Sequence, residues 1–197
     1  MTNIDIDDTS DETDAAIEDI SDSSDQGDFQ LETDAQVCDA ITMLSDNKEI
    51  KPENWETMDE GERLNTLQGI ENQMAEIQGR ESLPIIADHD LDQNVCGGYN
   101  GSEIHINSDH IAGDQPVEEN VDTIIHEGRH AFQDFAVQNP GVVSDNSVVD
   151  QWAENLELGN YLSAELYGQA VYENQPIEAD ANSYASSIID GLYRERK

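Results

Sequence analysis

Val117-Glu118-Glu119-Asn120-Val121-Asp122-Thr123-Ile124-Ile125-His126-Glu127-Gly128-Arg129-His130-Ala131-Phe132-Gln133-Asp134-Phe135 reads as one amphipathic helix. Val117, Val121, Ile124, Ile125, Ala131, Phe132 and Phe135 fall on a single stripe, the spacing that buries one face of a helix. Asp114 can cap it, Pro116 lies in its first turn, Glu118 and Glu119 sit beside its positive end, and Asn139-Pro140-Gly141 stops it. In mid-helix, His126-Glu127-Gly128-Arg129-His130 is an H-E-x-x-H pattern. Histidines four residues apart project from the same face, so one Zn²⁺ can take a nitrogen from each, with Glu127 beside them as general base for water. Chance alone would produce the pattern in roughly one such sequence in seventy-five. Its surroundings have to carry the rest.

Upstream, Val37, Cys38, Ile41 and Leu44 share a face of a short helix beginning near Asp34. Thr57-Met58-Asp59-Glu60 reads as a capping box before Leu64, Leu67, Ile70, Met74 and Ile77, a second amphipathic helix that Gly79 ends. Leu83–Ile86, Val95–Tyr99 and Glu103–Asn107 read as short strands, the last two joined by an Asn100-Gly101 turn. Downstream, helical stretches are expected near Val148–Leu158 and Ala164–Tyr172, and from Pro176 toward Tyr193. This order predicts an α+β domain over residues 34–197, mostly helical, with a small antiparallel sheet just before the motif helix. Residues 1–33 are predicted to be a disordered acidic tail, because the first thirty hold eleven acidic side chains and no basic one.

The formal charge is −37, of which residues 1–60 carry −18 and residues 61–197 carry −19. Such a field repels phosphate backbones and anionic bilayers, so nucleic-acid and membrane partners are not expected. A cationic partner is compatible with it, as is adaptation to high salt, where self-repulsion is screened. No apolar run approaches the roughly eighteen residues of a membrane span, and the N-terminus is acidic where a Sec signal is basic. The expected location is the producer's cytoplasm; the alternative is export by a specialised secretion or injection system, with the acidic tail as a leader. Cys38 and Cys96 form no C-x-x-C pair and read as structural thiols rather than ligands.

A catalytic zinc needs three protein ligands and one open position. Glu178, in Gln175-Pro176-Ile177-Glu178-Ala179-Asp180-Ala181, is the candidate, because it opens a helix whose apolar residues can pack beneath the motif helix. Asp122, one turn before His126, and Asp180 are candidates to hold a ligand histidine through its second nitrogen. Tyr172 or Tyr161 can donate to an oxyanion. Trp152 and Asn155 read as packing and helix-end residues.

Together these residues resemble the zincin superfamily, and within it gluzincin-type metallopeptidases, where two motif histidines and a glutamate from a later helix hold zinc. Glu178-Ala179-Asp180-Ala181-Asn182-Ser183-Tyr184-Ala185 is similar to the ligand helix E-x-E-A-N-x-F-A of phage-repressor-cleaving metallopeptidases. Metallopeptidase domains of bacterial polymorphic toxins and secreted effectors look closer still. There E-R-L-x-x-L, a hairpin, T-I-I-H-E-x-R-H-A-x-Q and Q-P-I-E-x-D-A recur in order; here they are Glu62–Leu67, the Asn100-Gly101 hairpin, Thr123–Gln133 and Gln175–Ala181. The resemblance covers about residues 50–195. Arg129, charged where the stricter pattern has uncharged residues, is expected to face outward to an acidic neighbour, and no Gly-then-His continuation follows His130, against the metzincin branch.

The resemblance implies a zincin-like fold and hydrolysis of peptide bonds in a protein substrate, with His126, His130 and Glu178 on Zn²⁺ and Glu127 as catalytic base. It also implies that the strand near Glu103–Asn107 is an edge that binds an extended peptide. His105 or His110 could contact substrate or serve as an alternative ligand, though a surface role suits a polar strand face better, and His89 is the weaker candidate. A secreted effector or toxin with a secretion-apparatus or immunity partner is the first reading. The alternatives are a housekeeping or regulatory cytoplasmic metalloprotease of a salt-adapted organism, and a non-catalytic zinc-binding or acidic interaction protein.

Overall fold

Asp59 accepts the Glu62 backbone N–H at 2.9 Å, and the Glu62 carboxylate accepts the Asp59 N–H at 3.0 Å. This capping box starts a helix at Glu60, two residues later than the Thr57 register implies. Both registers satisfy the spacing, and the charged Asp59 takes the cap at the positive helix end. The structure, a computed structural model, describes residues 22–113 and 115–194. The tail expectation for residues 1–21 and the cap assigned to Asp114 lie outside them.

The described elements run α1 (Asp22–Ser45), α2 (Pro52–Trp55), α3 (Glu60–Gln78), β1 (Ile85–Asp88), β2 (Gly97–Tyr99), β3 (Ile104–Asn107), α4 (Ser108–Ala112), α5 (Val117–Gln138), α6 (Asn146–Leu156), α7 (Ala164–Tyr167), α8 (Gln169–Glu173) and α9 (Pro176–Tyr193). The architecture is α+β and mostly helical, as expected. Helix α1 begins well before Asp34, so residues 22–33, assigned to the disordered tail, are helical. One apolar anchor helps to hold that stretch: Phe29 packs edge-on against Trp152, ring centroids 5.7 Å apart. The stretch expected as one helix over Ala164–Tyr172 is split at Gly168, whose φ of 88° no helix accepts.

The sheet is mixed rather than antiparallel. Its order is β1-β3-β2, with β3 parallel to β1 and antiparallel to β2. The hairpin folds back so that β3 enters between its neighbours, and Asn107 pins the preceding loop by donating to the carbonyls of Asp92 and Val95 at 3.0 and 2.8 Å. Residues Glu103–Asn107 are therefore central, paired on both sides, and the expected edge strand is instead β2. No side chain fits at Gly97: a Cβ there would stand 2.6 Å from the His105 carbonyl oxygen and 2.7 Å from the Thr123 methyl of α5. This close approach sets β2 against the motif helix.

Helix α5 lies at the centre, packed by α3, α9, α6, β2 and β3. Val121, Ile124 and Ile125 join Leu67, Ile70, Ile104, Ile106 and Ile188 in the main core, while Phe132 and Ala136 join Trp152 and Ile177 in a second. Each such side chain contributes roughly 1.5–3 kcal/mol by leaving water. Among the described residues no helix is long and apolar enough to cross a membrane.

Candidate metal centre

Two helices build the site. The middle turns of α5 carry His126, Glu127 and His130, and Pro176 at the start of α9 puts Glu178 in its first turn. The His126 and His130 Nε2 atoms face each other at 3.0 Å. Glu178 Oε2 stands 3.4 Å from the first and Oε1 3.5 Å from the second. One ligand atom from each of the three residues lies within 4.8 Å of the other two, so the cluster could hold a metal ion. The fit has independent support, because Glu178 is only 1% exposed and its Oε2 has no hydrogen-bond partner. A buried carboxylate oxygen left unpaired is costly, and a cation at this point satisfies it.

The electrostatics also favour positive charge here. Burial opposes the charged form of His130, but the Glu178 hydrogen bond and the Glu127 charge prevail and hold the imidazole up at about 9. Burial likewise pushes Glu178 up, yet the two imidazoles facing it at 3.4 and 3.5 Å keep it well below the ordinary carboxylate range. Glu127 is raised, chiefly by burial, with the two imidazoles pulling against that rise. Glu127, His130 and Glu178 open onto a cavity of about 440 Å³, bounded on one side by the Gly97–Tyr99 strand and on the other by Tyr161 and Tyr172.

His130 is oriented by a residue to which the sequence reading assigned no role. Gln133 donates through Nε2 to the Ile177 carbonyl at 2.9 Å and to Asp180 Oδ2 at 2.7 Å, which fixes its amide and leaves Oε1 to accept from His130 Nδ1 at 2.9 Å. Nε2 of His130 is thereby directed at the cluster. One turn beyond His130, and polar beside the buried Phe132, Gln133 carried a readable signal. Asp180 acts through Gln133 rather than on a histidine itself. Asp122, half-buried and raised by that burial, makes no hydrogen bond to His126 among the described residues.

Arg129 corrects an expectation. It is 0% exposed, not outward-facing. Its guanidinium meets Asp180 through Nε at 2.8 Å and Nη2 at 3.0 Å, donates to Gln36 at 3.0 Å, and lies over the rings of Tyr184, Phe132 and Trp152 at 4.4, 4.7 and 5.7 Å. The acidic neighbour exists, but inside. The other variable motif position, Gly128, faces a buried pair: Arg80 binds Glu71 through two contacts of 2.6 and 2.9 Å, and a Cβ on Gly128 would touch both partners at 3.0 Å.

Of the two tyrosines, Tyr161 makes the direct contact, donating to Glu178 Oε1 at 2.9 Å, and Tyr172 packs edge-on against it at 6.1 Å. Burial first, and the Glu178 charge among the other causes, push both phenols above their usual range, so both keep their protons. His105 is not at the site. Its Nδ1 donates to Asp88 Oδ2 at 2.9 Å and its Nε2 accepts from Asn100 at 2.9 Å, a bracket across the sheet. His110 meets the Gln93 carbonyl at 3.2 Å, and His89 lies in the bend after β1. Cys38 and Cys96 are free, exposed thiols. Trp152 and Asn155 pack as expected, Asn155 donating to Gln175 Oε1 at 3.1 Å. In comparisons with known proteins, no family model, no curated protein and no solved structure matches the chain.

Proposed function

We propose that the chain is a zinc metallopeptidase of zincin type that hydrolyses peptide bonds in a protein substrate. The observation that carries this reading is the convergence of His126, His130 and Glu178 on one point, with Glu127, His130 and Glu178 opening onto one cavity. Two imidazole nitrogens and one carboxylate are a donor set that suits zinc with a position left open, where calcium and magnesium take oxygen ligands. Held there, zinc supplies Lewis-acid chemistry: it polarises a carbonyl oxygen and makes water acidic near neutral pH.

The chain's own residues do the remainder. Gln133 holds His130 in the tautomer that offers Nε2. Glu127, its carboxyl pushed up by burial, takes a proton from the attacking water and returns it to the leaving nitrogen. Tyr172, protonated and lining the cavity, is the donor available to the developing oxyanion, while the Tyr161 hydroxyl is given to Glu178. The edge of β2, which no further strand covers among the described residues, accommodates an extended peptide, in place of the central β3. Glu127 in the cavity argues against a purely structural site, which has no use for a carboxylate that is not a ligand. The resemblance to toxin and effector metallopeptidase domains supports a substrate in another cell.

The test is metal analysis of the purified chain, together with proteome-wide N-terminal mapping of target lysates exposed to wild type and to Glu127→Gln. New N-termini that depend on zinc and on Glu127 support the reading. A protein that takes up no zinc, or equal cleavage by both forms, refutes it.

A further inference from the structure

Asp134 is a charge that the metal centre does not account for. It stands four residues beyond His130, one turn along the same face of α5, and lines the cavity with Glu127, His130 and Glu178. A divalent ion is balanced by Glu178 and Glu127. Asp134 remains. Its two oxygens are aligned by neutral donors, the Tyr99 hydroxyl on Oδ2 at 3.0 Å and Gln138 Nε2 on Oδ1 at 2.9 Å, and neither cancels its charge. The Tyr99 phenol is pushed up to about 12, by burial and then by this hydrogen bond, so it stays a donor through neutral pH. The nearby guanidiniums are committed, Arg80 to Glu71 and Arg129 to Asp180, and among the described residues no ion pair involves Asp134.

The cavity's shape complements that charge. Leu156, Tyr161, Tyr172 and Ile177 form an apolar and aromatic wall, while β2 contributes glycines, and a Cβ at Gly98 would meet nothing within 4 Å. A long aliphatic stem with a cationic head suits such a space: the stem lies on apolar surface, and the head reaches a carboxylate or a tyrosine face.

We propose that Asp134 selects a lysine or arginine side chain close to the bond being cut, so that the substrates are basic protein segments. This rests on the peptidase reading and names its substrate class. The chain's overall charge of −37 acts in the same direction, steering cationic partners toward the cleft at low ionic strength.

The experiment uses the full chain as zinc-loaded Glu127→Gln, which holds peptide without cutting it. Two labelled peptide mixtures, randomised except for a central arginine or its neutral isostere citrulline, are titrated by fluorescence anisotropy. The arginine mixture is expected to bind about 10- to 100-fold more tightly, the range of a charge-assisted hydrogen bond. That ratio should fall to about one in Glu127→Gln/Asp134→Asn, and Asp134→Lys should prefer a central glutamate. Equal binding of arginine and citrulline with Asp134 intact overturns the inference without depending on any Asp134 variant. Persistence of the ratio in Asp134→Asn overturns it too. Wild-type cleavage of both mixtures at equal rates would sink the inference and leave the peptidase reading standing. An Asp134-dependent ratio with no cleavage by zinc-loaded wild type would sink the peptidase reading and support the recognition of basic segments.

Discussion

Gln133 decides which nitrogen of His130 faces the cavity, because its amide is fixed on the other side by Asp180 and the Ile177 carbonyl. Gln133→Leu keeps the volume and removes the acceptor. It should lower zinc affinity by about 10- to 100-fold, the usual effect of losing a hydrogen bond that orients a ligand histidine. Competition against a chromophoric chelator measures this, and unchanged affinity would assign Gln133 to packing alone. Gln133 and Arg129 show why part of the site was hard to read. The ligand pair and Glu178 stand out as residue types at a spacing, whereas an orienting amide is recognised only once its partners are placed. Arg129 was misread for a related reason: a lone arginine in a sequence looks solvated, and beside Phe132 of its own helix the groups that let it be buried, the Asp180 carboxylate and the Trp152 and Tyr184 rings, come from elements further along the chain.

At the scale of elements, α5 is held in position by buried polar contacts as much as by its apolar stripe. Arg129→Met leaves Asp180 short of its guanidinium in a mostly buried place and should cost about 3–5 kcal/mol in urea denaturation. Arg129→Lys should recover only part of this, since an ammonium cannot reproduce the two-point contact or the stacking on three rings. Gly97→Ala tests the seat of β2. Its Cβ would meet a backbone oxygen that cannot swing away, so a loss of about 1–3 kcal/mol is expected, together with weaker peptide binding as the strand shifts from the cavity. A stability equal to wild type would show that β2 is not set by this approach. The long helices α3 and α5 were legible because each carries a repeating apolar face and a stop signal, and α9 because Pro176 opens it. Strand order was not. Three short strands encode their faces but not which pairs with which, and β3 enters the middle only through contacts such as those Asn107 makes with the loop over Asp92–Val95. Residues 22–33 look too polar to fold, and Phe29 on Trp152 is a long-range contact that composition does not reveal.

For the whole molecule, the charge of −37 sets the terms of stability and association. Like charges repel across the folded surface, and at about 1 M salt the screening length falls to about 3 Å. The melting temperature should therefore rise between low and molar sodium chloride, read by differential scanning fluorimetry, while binding of basic peptides weakens over the same range. A melting temperature that falls with salt would mean that specific ion pairs outweigh net repulsion. Zinc should stabilise the native state by mass action. At a free concentration of 100 Kd the gain is about 2.7 kcal/mol, or roughly 5–10 °C for a chain of this size, and a chelator should reverse it. Substituting Glu178 by Ala should abolish most of that shift.

Zinc-dependent peptide hydrolysis through Glu127 is tested by zinc content and peptide cleavage measured side by side on one preparation of Glu127→Gln and one of wild type. It requires one zinc per chain in both, with cleavage lower by about 10²- to 10⁴-fold in the variant. Cleavage by Glu127→Gln at the wild-type rate, or wild-type cleavage that persists with no zinc bound, would contradict it.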